Sequence, residues 1–208
     1  MFFPIRDEGG GGGDWVNKSL IVLNVFIFLA LWILGINDFA ALNFGTTPSR
    51  VVSGAALYTL LTSMFLHGGF SHIIGNMWFL WIFGDNIERA FGHAKYLVFY
   101  LVTGLAGSVL HILSDPSSMI PAVGASGAIS GVLGAYLALY PRNRIDAVTT
   151  FGVIAHMQVS AKIVIGLWFL LQLFYSGFLL VGASTGVAYL AHVGGFVAGY
   201  AAAKVFLK

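Results

Sequence analysis

The chain has 208 residues, of which 58% are apolar and only 9% are charged, and its mean hydropathy is +0.89. Soluble domains carry about a quarter charged residues, so this composition indicates a membrane protein. The formal net charge of +2 is small and the basic residues are dispersed, which argues against a nucleic-acid partner. The chain has no cysteine, which excludes disulfides, thiolate metal sites and cysteine nucleophiles.

The hydropathy pattern predicts an all-α membrane protein with six transmembrane helices. The predicted spans are residues 15–34, 73–87, 96–113, 126–140, 163–180 and 187–206. The first span is long and bulky and no small-residue cleavage site follows it, so we interpret it as a retained helix. Residues 1–14 contain a glycine run and are expected to form a flexible cytoplasmic tail ahead of one membrane domain at 15–208.

The basic residues predict how the spans are oriented. Nine of the ten lysines and arginines fall at one end of the predicted spans, and Arg50 alone falls at the other end. By the positive-inside rule, the basic end and both termini are cytoplasmic. We therefore expect an integral protein of a prokaryotic plasma (inner) membrane. Spans two, four and six then run in the same direction, from the outside to the cytoplasm.

Four polar residues lie in otherwise apolar stretches of these three spans. With a rise of ~1.5 Å per residue, each lies about 18 to 25 Å from the next basic residue, which places it in the outer half of a ~30 Å hydrocarbon core. The four residues are His72, Asn76, Ser126 and His192. Because polar groups are costly and rare in hydrocarbon, four at a similar depth indicate one shared reaction site.

Ser126 is predicted to begin the fourth span. The free N–H groups of Ala125, Ser126 and Gly127 and the positive end of the helix dipole suit a developing oxyanion, and Gly124 and Gly127 permit a tight turn. This span covers only ~21 Å, so it is expected to start below the outer surface, after an irregular segment at 114–124. Taken alone, the small residues are equally typical of helix packing in membranes, and both interpretations stay open.

Two stripes of small residues connect the serine to the histidine. One stripe follows Ser126 and the other begins beside His192: Gly127, Gly131, Ala135; Ala191, Gly195, Gly199, Ala203. Such stripes let two helix backbones approach closely, which would bring His192 beside Ser126 as a general base. No acidic residue lies in the sixth span or near Ser126, so we predict a membrane-embedded serine hydrolase with a Ser–His dyad.

Taken together and in this order, the motifs resemble the rhomboid family of intramembrane serine proteases over residues 67–204. His67, His72 and Asn76 resemble the start of the family's second span, and Glu88 with Arg89 resembles its cytoplasmic end. Residues 124–127 match the nucleophile motif. His192 and the glycines after it, Gly195 and Gly199, match the base and its packing glycines.

The resemblance implies a six-helix bundle with a short central fourth helix, in which Ser126 is the nucleophile and His192 the base. It implies an oxyanion hole made of His72, Asn76 and the backbone amides of Ser126 and Ala125. The implied substrates are transmembrane segments of other proteins in the lipid bilayer, cleaved near the outer end of their helices. No cofactor or nucleic acid is expected. No metal is expected either, because His67 and His72 are five residues apart and no HExxH motif accompanies them.

Two positions depart from the family's pattern. Many rhomboids carry a Trp-Arg pair in the loop after the first span, where this chain has Leu57 and Tyr58. In well-known bacterial members an aromatic residue stacks on the catalytic histidine, and Ser130 stands at that position. We expect Ser130 either to hydrogen-bond His192 or to leave its ring less constrained. The loop at 173–185 is the candidate lid.

Two other functions were considered. A rhomboid relative without catalytic activity would act as a binding protein and is expected to have lost Ser126 or His192, yet both are present. A transporter or channel also uses polar groups within the membrane, but usually shows repeated halves with paired broken helices, which this sequence lacks.

Overall fold

The computed structural model describes residues 2–9, 12–151, 153–179 and 187–207. Its helices are α1 (Trp15–Leu34), α2 (Asn37–Phe44), α3 (Pro48–Val52), α4 (Thr59–Thr62), α5 (Phe70–Phe91), α6 (His93–Ser114), α7 (Ser126–Leu139), α8 (Ala161–Leu179) and α9 (Tyr189–Phe206), with a 3₁₀ turn at Ser63–Phe65. Its strands are β1 (Phe2–Asp7), β2 (Arg144–Phe151) and β3 (Val153–Ser160).

The long helices lie where the six spans were predicted. Within the described residues, α1 and α6 are long and apolar enough by themselves to cross a membrane, and α7 and Ala161–Gly177 are shorter apolar helices. The remaining two long helices carry polar groups. In α5 these include Asp85, Glu88 and Arg89 in the last two turns, at the end of the bundle where the basic residues cluster. We call this the basic end.

Helix α7 forms the centre of the bundle. Its residues from Ala128 to Tyr136 are all buried, and it packs against α5, α6, α8 and α9. The apolar core continues from α7 into the facing sides of these helices, with Phe83, Tyr100 and Phe196 among its large members. A helix enclosed in this way can present a polar residue at its first turn without exposing that residue to lipid.

The two stripes of small residues hold α7 and α9 in backbone contact. A Cβ atom added at Gly199 would lie 2.6 Å from both the carbonyl carbon and the Cα of Gly131. A Cβ atom at Gly195 would lie 2.9 Å from the carbonyl carbon of Gly127 and would overlap its oxygen. No L side chain fits at either position unless the two helices separate.

This contact predicts opposite effects for two Gly→Ala substitutions. Gly199→Ala should lower the melting temperature, because overpacking typically lowers the free energy of unfolding by about 1 to 3 kcal/mol. The matched control is Gly166→Ala in α8, where an added Cβ meets nothing within 4 Å and alanine favours the helix. Thermal unfolding in detergent measures both. Equal melting temperatures would show that α7 and α9 can separate freely.

The irregular segment before α7 is paired with the loop after α2 and with the 3₁₀ turn after α4. Thr46 and Ala122 exchange two backbone hydrogen bonds of 2.9 Å, and the Gly124 N–H donates to the Ser63 carbonyl at 2.9 Å. The Thr46 hydroxyl contacts the Ser63 hydroxyl at 2.8 Å. Backbone without helical hydrogen bonds is thus satisfied by protein groups, as a position within a membrane requires. This pairing fixes the place where α7 begins.

A buried carboxylate closes the basic end. Glu88 is fully buried and accepts hydrogen bonds from the N–H groups of Val16, at 3.0 Å, and Asn17, at 2.7 Å. These are orphan donors of the first turn of α1, so Glu88 caps α1 from α5. The ring Nδ1 of His93 lies 2.5 Å from the same carboxylate. Three helices therefore meet at one side chain.

The prediction of an all-α fold is wrong at the basic end. The described strands form an antiparallel sheet in the order β1-β2-β3, and β1 falls in the segment 1–14 that was expected to be a flexible tail. Ile145 and Ala147 alternate with more exposed neighbours and are buried, the period-two pattern of a strand. β1 is short and contains Pro4, which suits an edge strand that forms only against an existing partner.

Asp7 fastens this sheet to the helices. Its carboxylate accepts a hydrogen bond of 2.6 Å from the Tyr136 hydroxyl of α7 and another from the Asn86 side chain of α5. Burial raises the pKa of Asp7 to about 6, and the negative charge of Asp85 acts in the same direction. At neutral pH the ionised carboxylate still has two donors, so the last residue of β1 is anchored to two core helices.

Candidate functional site

The structure brings Ser126 and His192 into hydrogen-bond contact. Ser126 is the first residue of α7 and His192 lies in the first turn of α9, and Ser126 Oγ stands 2.9 Å from His192 Nε2. Both residues are half-buried. The contact follows from the backbone approach at Gly127 and Gly195, one position after the serine and three after the histidine. A hydroxyl hydrogen-bonded to an imidazole is the arrangement of an activated nucleophile.

The other ring nitrogen of His192 has a partner that sequence analysis missed. His192 Nδ1 lies 2.8 Å from Oε1 of Gln172 in α8, and Gln172 is 92% buried, with a relative exposure of 8%. The sequence predicts a dyad because no acidic residue lies nearby, whereas the partner in the structure is a neutral amide. The sequence held a signal, since Gln172 is a polar residue in the middle of an apolar span.

Aromatic side chains confine the His192 ring from two directions. The Trp168 ring of α8 lies 6.1 Å away and the Tyr189 ring 6.2 Å away, measured between centroids. Ser130 does not hydrogen-bond His192, because its hydroxyl donates to the Ser126 carbonyl at 2.6 Å. The first of the two expectations for Ser130 is therefore wrong. Trp168 and Tyr189 supply the aromatic neighbours instead.

His72 faces the nucleophile across Gly124. A Cβ atom added at Gly124 would lie 2.7 Å from His72 Nε2 and 3.6 Å from Ser126 Oγ, and Gly124 has a φ of +132°, which favours glycine. The Gly68 N–H points at His72 Nδ1 from 3.4 Å. Nδ1 then accepts, and the proton of the neutral ring resides on Nε2. An N–H donor is thus directed toward the space beside Ser126.

Asn76 supplies a second free donor on the same helix. It lies one turn after His72 in α5, on the same face, and it is buried. Its side-chain NH₂ has no hydrogen-bond partner among the residues that the structure describes. A buried, unpaired donor is costly, so its presence one turn from His72 needs a reason. A substrate oxygen that accepts this hydrogen bond supplies one.

The amides at the start of α7 complete the set of donors. The first N–H groups of a helix have no carbonyl partner within it. In α7 these belong to Ser126 and the residues after it, and Ala125, at the N-cap, is fully buried. His72 Nε2 faces the same start of α7 across Gly124, and Asn76 follows His72 by one turn in α5. Negative charge on an atom placed at the start of α7 would be stabilised by several donors at once.

A cavity of about 40 Å³ opens beside Ser126. Its polar lining comes from Thr46, Ser63, Ser108 and His111, and Nδ1 of His111 is buried without a hydrogen-bond partner among the described residues. One water molecule needs roughly 10 to 15 Å³ of such space. The cavity therefore has the volume and the polar groups to hold water next to the nucleophile.

The structure also describes the other residues considered in the sequence. His67 is buried, and its ring packs edge-on against that of His72 at 5.1 Å. Tyr58, which stands in the region of the family's Trp-Arg pair, donates its hydroxyl to the Asn43 carbonyl at 2.9 Å. Among the described residues no cluster of histidine and carboxylate side chains fits a metal ion. The candidate lid at 173–185 lies partly outside the described residues, from 180 onward.

This geometry predicts the effect of removing each donor. His72→Ala and Asn76→Ala should each slow the phosphonylation of Ser126 by a serine-directed fluorophosphonate, by about 10- to 1000-fold, because the phosphonyl oxygen takes the place of an oxyanion. The labelling rate at equal melting temperature is the measurement. His156→Ala, in β3, is the matched control and should label at the wild-type rate. Unchanged rates in both test variants would assign His72 and Asn76 to packing.

Several known proteins are similar to this chain in sequence. The profile of the Rhomboid domain matches residues 54–208. The chain is 32% identical over 185 residues to the rhomboid protease GluP of Bacillus subtilis (strain 168), covering 88% of this chain and 33% of that protein. It is also 32% identical over 156 residues to RHOMBOID-like protein 5 of Arabidopsis thaliana, covering 75% of this chain and 46% of that protein.

A third match is shorter and more similar. RHOMBOID-like protein 6, mitochondrial, of Arabidopsis thaliana is 41% identical over 88 residues, covering 42% of this chain and 28% of that protein. The chain thus spans less than half the length of these three relatives. The matches confirm the family resemblance that the separate motifs indicated.

Proposed function

Because the chain belongs to the rhomboid family, we propose that it is an intramembrane serine protease that cleaves transmembrane segments of other membrane proteins. The observation that carries the proposal is the 2.9 Å contact between Ser126 Oγ and His192 Nε2. It occurs at the start of α7, where the first N–H groups of the helix have no carbonyl partner within it and His72 Nε2 lies close by. A protein that only bound membrane helices would have no use for this combination.

Acylation begins when Ser126 Oγ attacks the carbonyl carbon of the scissile peptide bond. His192 Nε2 takes the hydroxyl proton as the C–O bond forms, acting as general base. The carbonyl oxygen becomes an oxyanion that accepts hydrogen bonds from the first amide of α7, from His72 and from Asn76. His192 then returns the proton to the leaving amine, the C–N bond breaks, and an acyl-enzyme on Ser126 remains.

Deacylation requires a water molecule close to the ester that Ser126 carries. A water molecule from the cavity lined by Ser108 and His111 attacks the ester carbon while His192 accepts one of its protons. The second oxyanion occupies the same donors, the bond to Ser126 Oγ breaks, and His192 returns the proton to the serine. His192 thus passes each proton that it accepts to the leaving amine in acylation and back to Ser126 in deacylation.

The catalytic pair generates the first prediction of this mechanism. Ser126→Ala and His192→Ala should each abolish cleavage of a single-span membrane substrate in liposomes, and the double variant should be no worse than either, since the pair acts as a unit. Ser19→Ala, in α1, is the control and should cleave normally. Circular dichroism and melting temperature establish that the variants are folded. Appreciable cleavage by folded Ser126→Ala would refute the mechanism.

We further propose that the six long helices all span a prokaryotic plasma membrane, with the basic end and both termini in the cytoplasm. The support is the distribution of basic side chains, since Lys18, Arg89, Lys95 and Lys204 lie at one end of their helices. Ser126 then lies in the outer half of the bilayer, open to water from outside. Substrates would be cleaved near the outer end of their transmembrane helices.

Thiol labelling tests this orientation. The chain has no cysteine, so single cysteines introduced at Val123 and Leu137 report without background. Val123 is partly exposed and lines the cavity beside Ser126, so a small polar thiol reagent added outside intact cells should modify Val123→Cys. Leu137→Cys, two residues before the basic end of α7, should stay unmodified. If only Leu137→Cys were labelled, the orientation would be the opposite of the one proposed.

A further inference from the structure

The environment of Gln172 is more specific than helix packing requires. Its neighbours in sequence, Leu171 and Leu173, are exposed on the outside of α8, whereas Gln172 itself is buried. A buried amide is costly unless it is hydrogen-bonded. The hydrogen bond of 2.8 Å runs from His192 Nδ1 to Gln172 Oε1. The only described polar group that the amide is seen to meet is therefore the histidine that contacts Ser126.

Helix α8 delivers Gln172 to this position along one face. Ile165, Trp168 and Phe169 precede Gln172 by seven, four and three residues, the spacing of a single helix face. Ile165 is buried, Phe169 stacks on Phe196 of α9 with centroids 4.0 Å apart, and Trp168 contacts the same ring at 6.2 Å. This packing sets the height and rotation of α8 against α9, which fixes the amide at the level of His192.

The chemistry of the amide oxygen determines which ring nitrogen carries the proton. A neutral imidazole has one N–H donor and one bare nitrogen acceptor, and an amide oxygen only accepts. The hydrogen bond to Gln172 Oε1 therefore keeps the proton on Nδ1 and leaves the lone pair of Nε2 facing Ser126 Oγ. With the opposite tautomer, Nε2 would carry a proton and could not accept the one on the serine.

We propose that Gln172 is a positioning residue that holds His192 in the tautomer and ring orientation needed for a general base. The proposal rests on the function proposed above, since it concerns how that base is prepared. A carboxylate performs this task in the Ser-His-Asp triad. A neutral amide does so without placing a negative charge at membrane depth, where an unpaired charge is costly.

Two substitutions separate the hydrogen bond from packing. Gln172→Met keeps the length and shape of the side chain but has no oxygen acceptor, and Gln172→Glu keeps the acceptor. Gln172→Met should lower kcat and the fluorophosphonate labelling rate by about 10- to 100-fold, the loss that is typical when the hydrogen-bond partner of a metal-binding histidine is removed. KM and melting temperature should stay at wild-type values. Gln172→Glu should recover most of the loss, and Leu171→Met is the packing control.

The tautomer is read independently of activity. In protein with ¹⁵N-labelled histidine, the His192 signals are identified by their absence in His192→Asn. In the wild type, Nδ1 should show the shift of a protonated nitrogen and Nε2 that of a bare one. Gln172→Met should lose this preference. An unchanged spectrum or an unchanged labelling rate in Gln172→Met would overturn the proposal, as would a loss of kcat that Gln172→Glu does not restore.

The same experiments distinguish the two proposals. If the chain is not a serine hydrolase, the wild type itself fails to react with the fluorophosphonate, whatever residue stands at 172. If only the role of Gln172 is wrong, the wild type reacts and Gln172→Met reacts equally fast. A fall in labelling that is accompanied by a lower melting temperature in both Gln172 variants, but not in Leu171→Met, would assign the amide to stability.

Discussion

The backbone contact between α7 and α9 is the constraint on which the site depends. Gly127 and Gly131 face Gly195 and Gly199 with no space for a side chain. Moving the two helices apart, or rotating one of them, would break this contact. Dispersion at this distance drives helix association in lipid, where the hydrophobic effect between helices is absent. Ser126 and His192 lie at one end of this contact. The glycine contacts fix how α7 and α9 pack, and this packing sets the distance between the two residues.

The sequence predicted this part of the molecule well for a physical reason. A small-residue stripe, a polar residue at membrane depth and a helix too short to span are local patterns, and each has few structural explanations. The irregular segment before α7 was expected for the same reason, although its pairing of Thr46 with Ala122 was not. Which loop supplies a partner strand depends on tertiary contacts that hydropathy does not contain.

Gln172 and the sheet were missed in two different ways. Gln172, like Asn76, is a polar residue within an apolar span. Acidic residues are the usual partners of a catalytic histidine, and a neutral amide acceptor falls outside that expectation. β2 carries an alternating pattern at Ile145 and Ala147, but β2 and β3 lie between two strong apolar spans, and hydropathy indicates only a connection there. β1 has too few residues for its sequence to indicate a strand. It forms a strand by pairing with the edge of β2.

The pairing of β1 with β2 has a consequence for the order of assembly during synthesis. β1 ends at Asp7 and precedes α1, whereas β2 begins at Arg144, after α1, α5, α6 and α7. At about 5 to 20 residues per second, β1 waits roughly 7 to 30 s after its own synthesis for its partner strand. The sheet, and the seating of Asp7 against Tyr136, can therefore form only after the central helix is in place. A chaperone that binds β1 in that interval would leave the helices assembled and the basic end open.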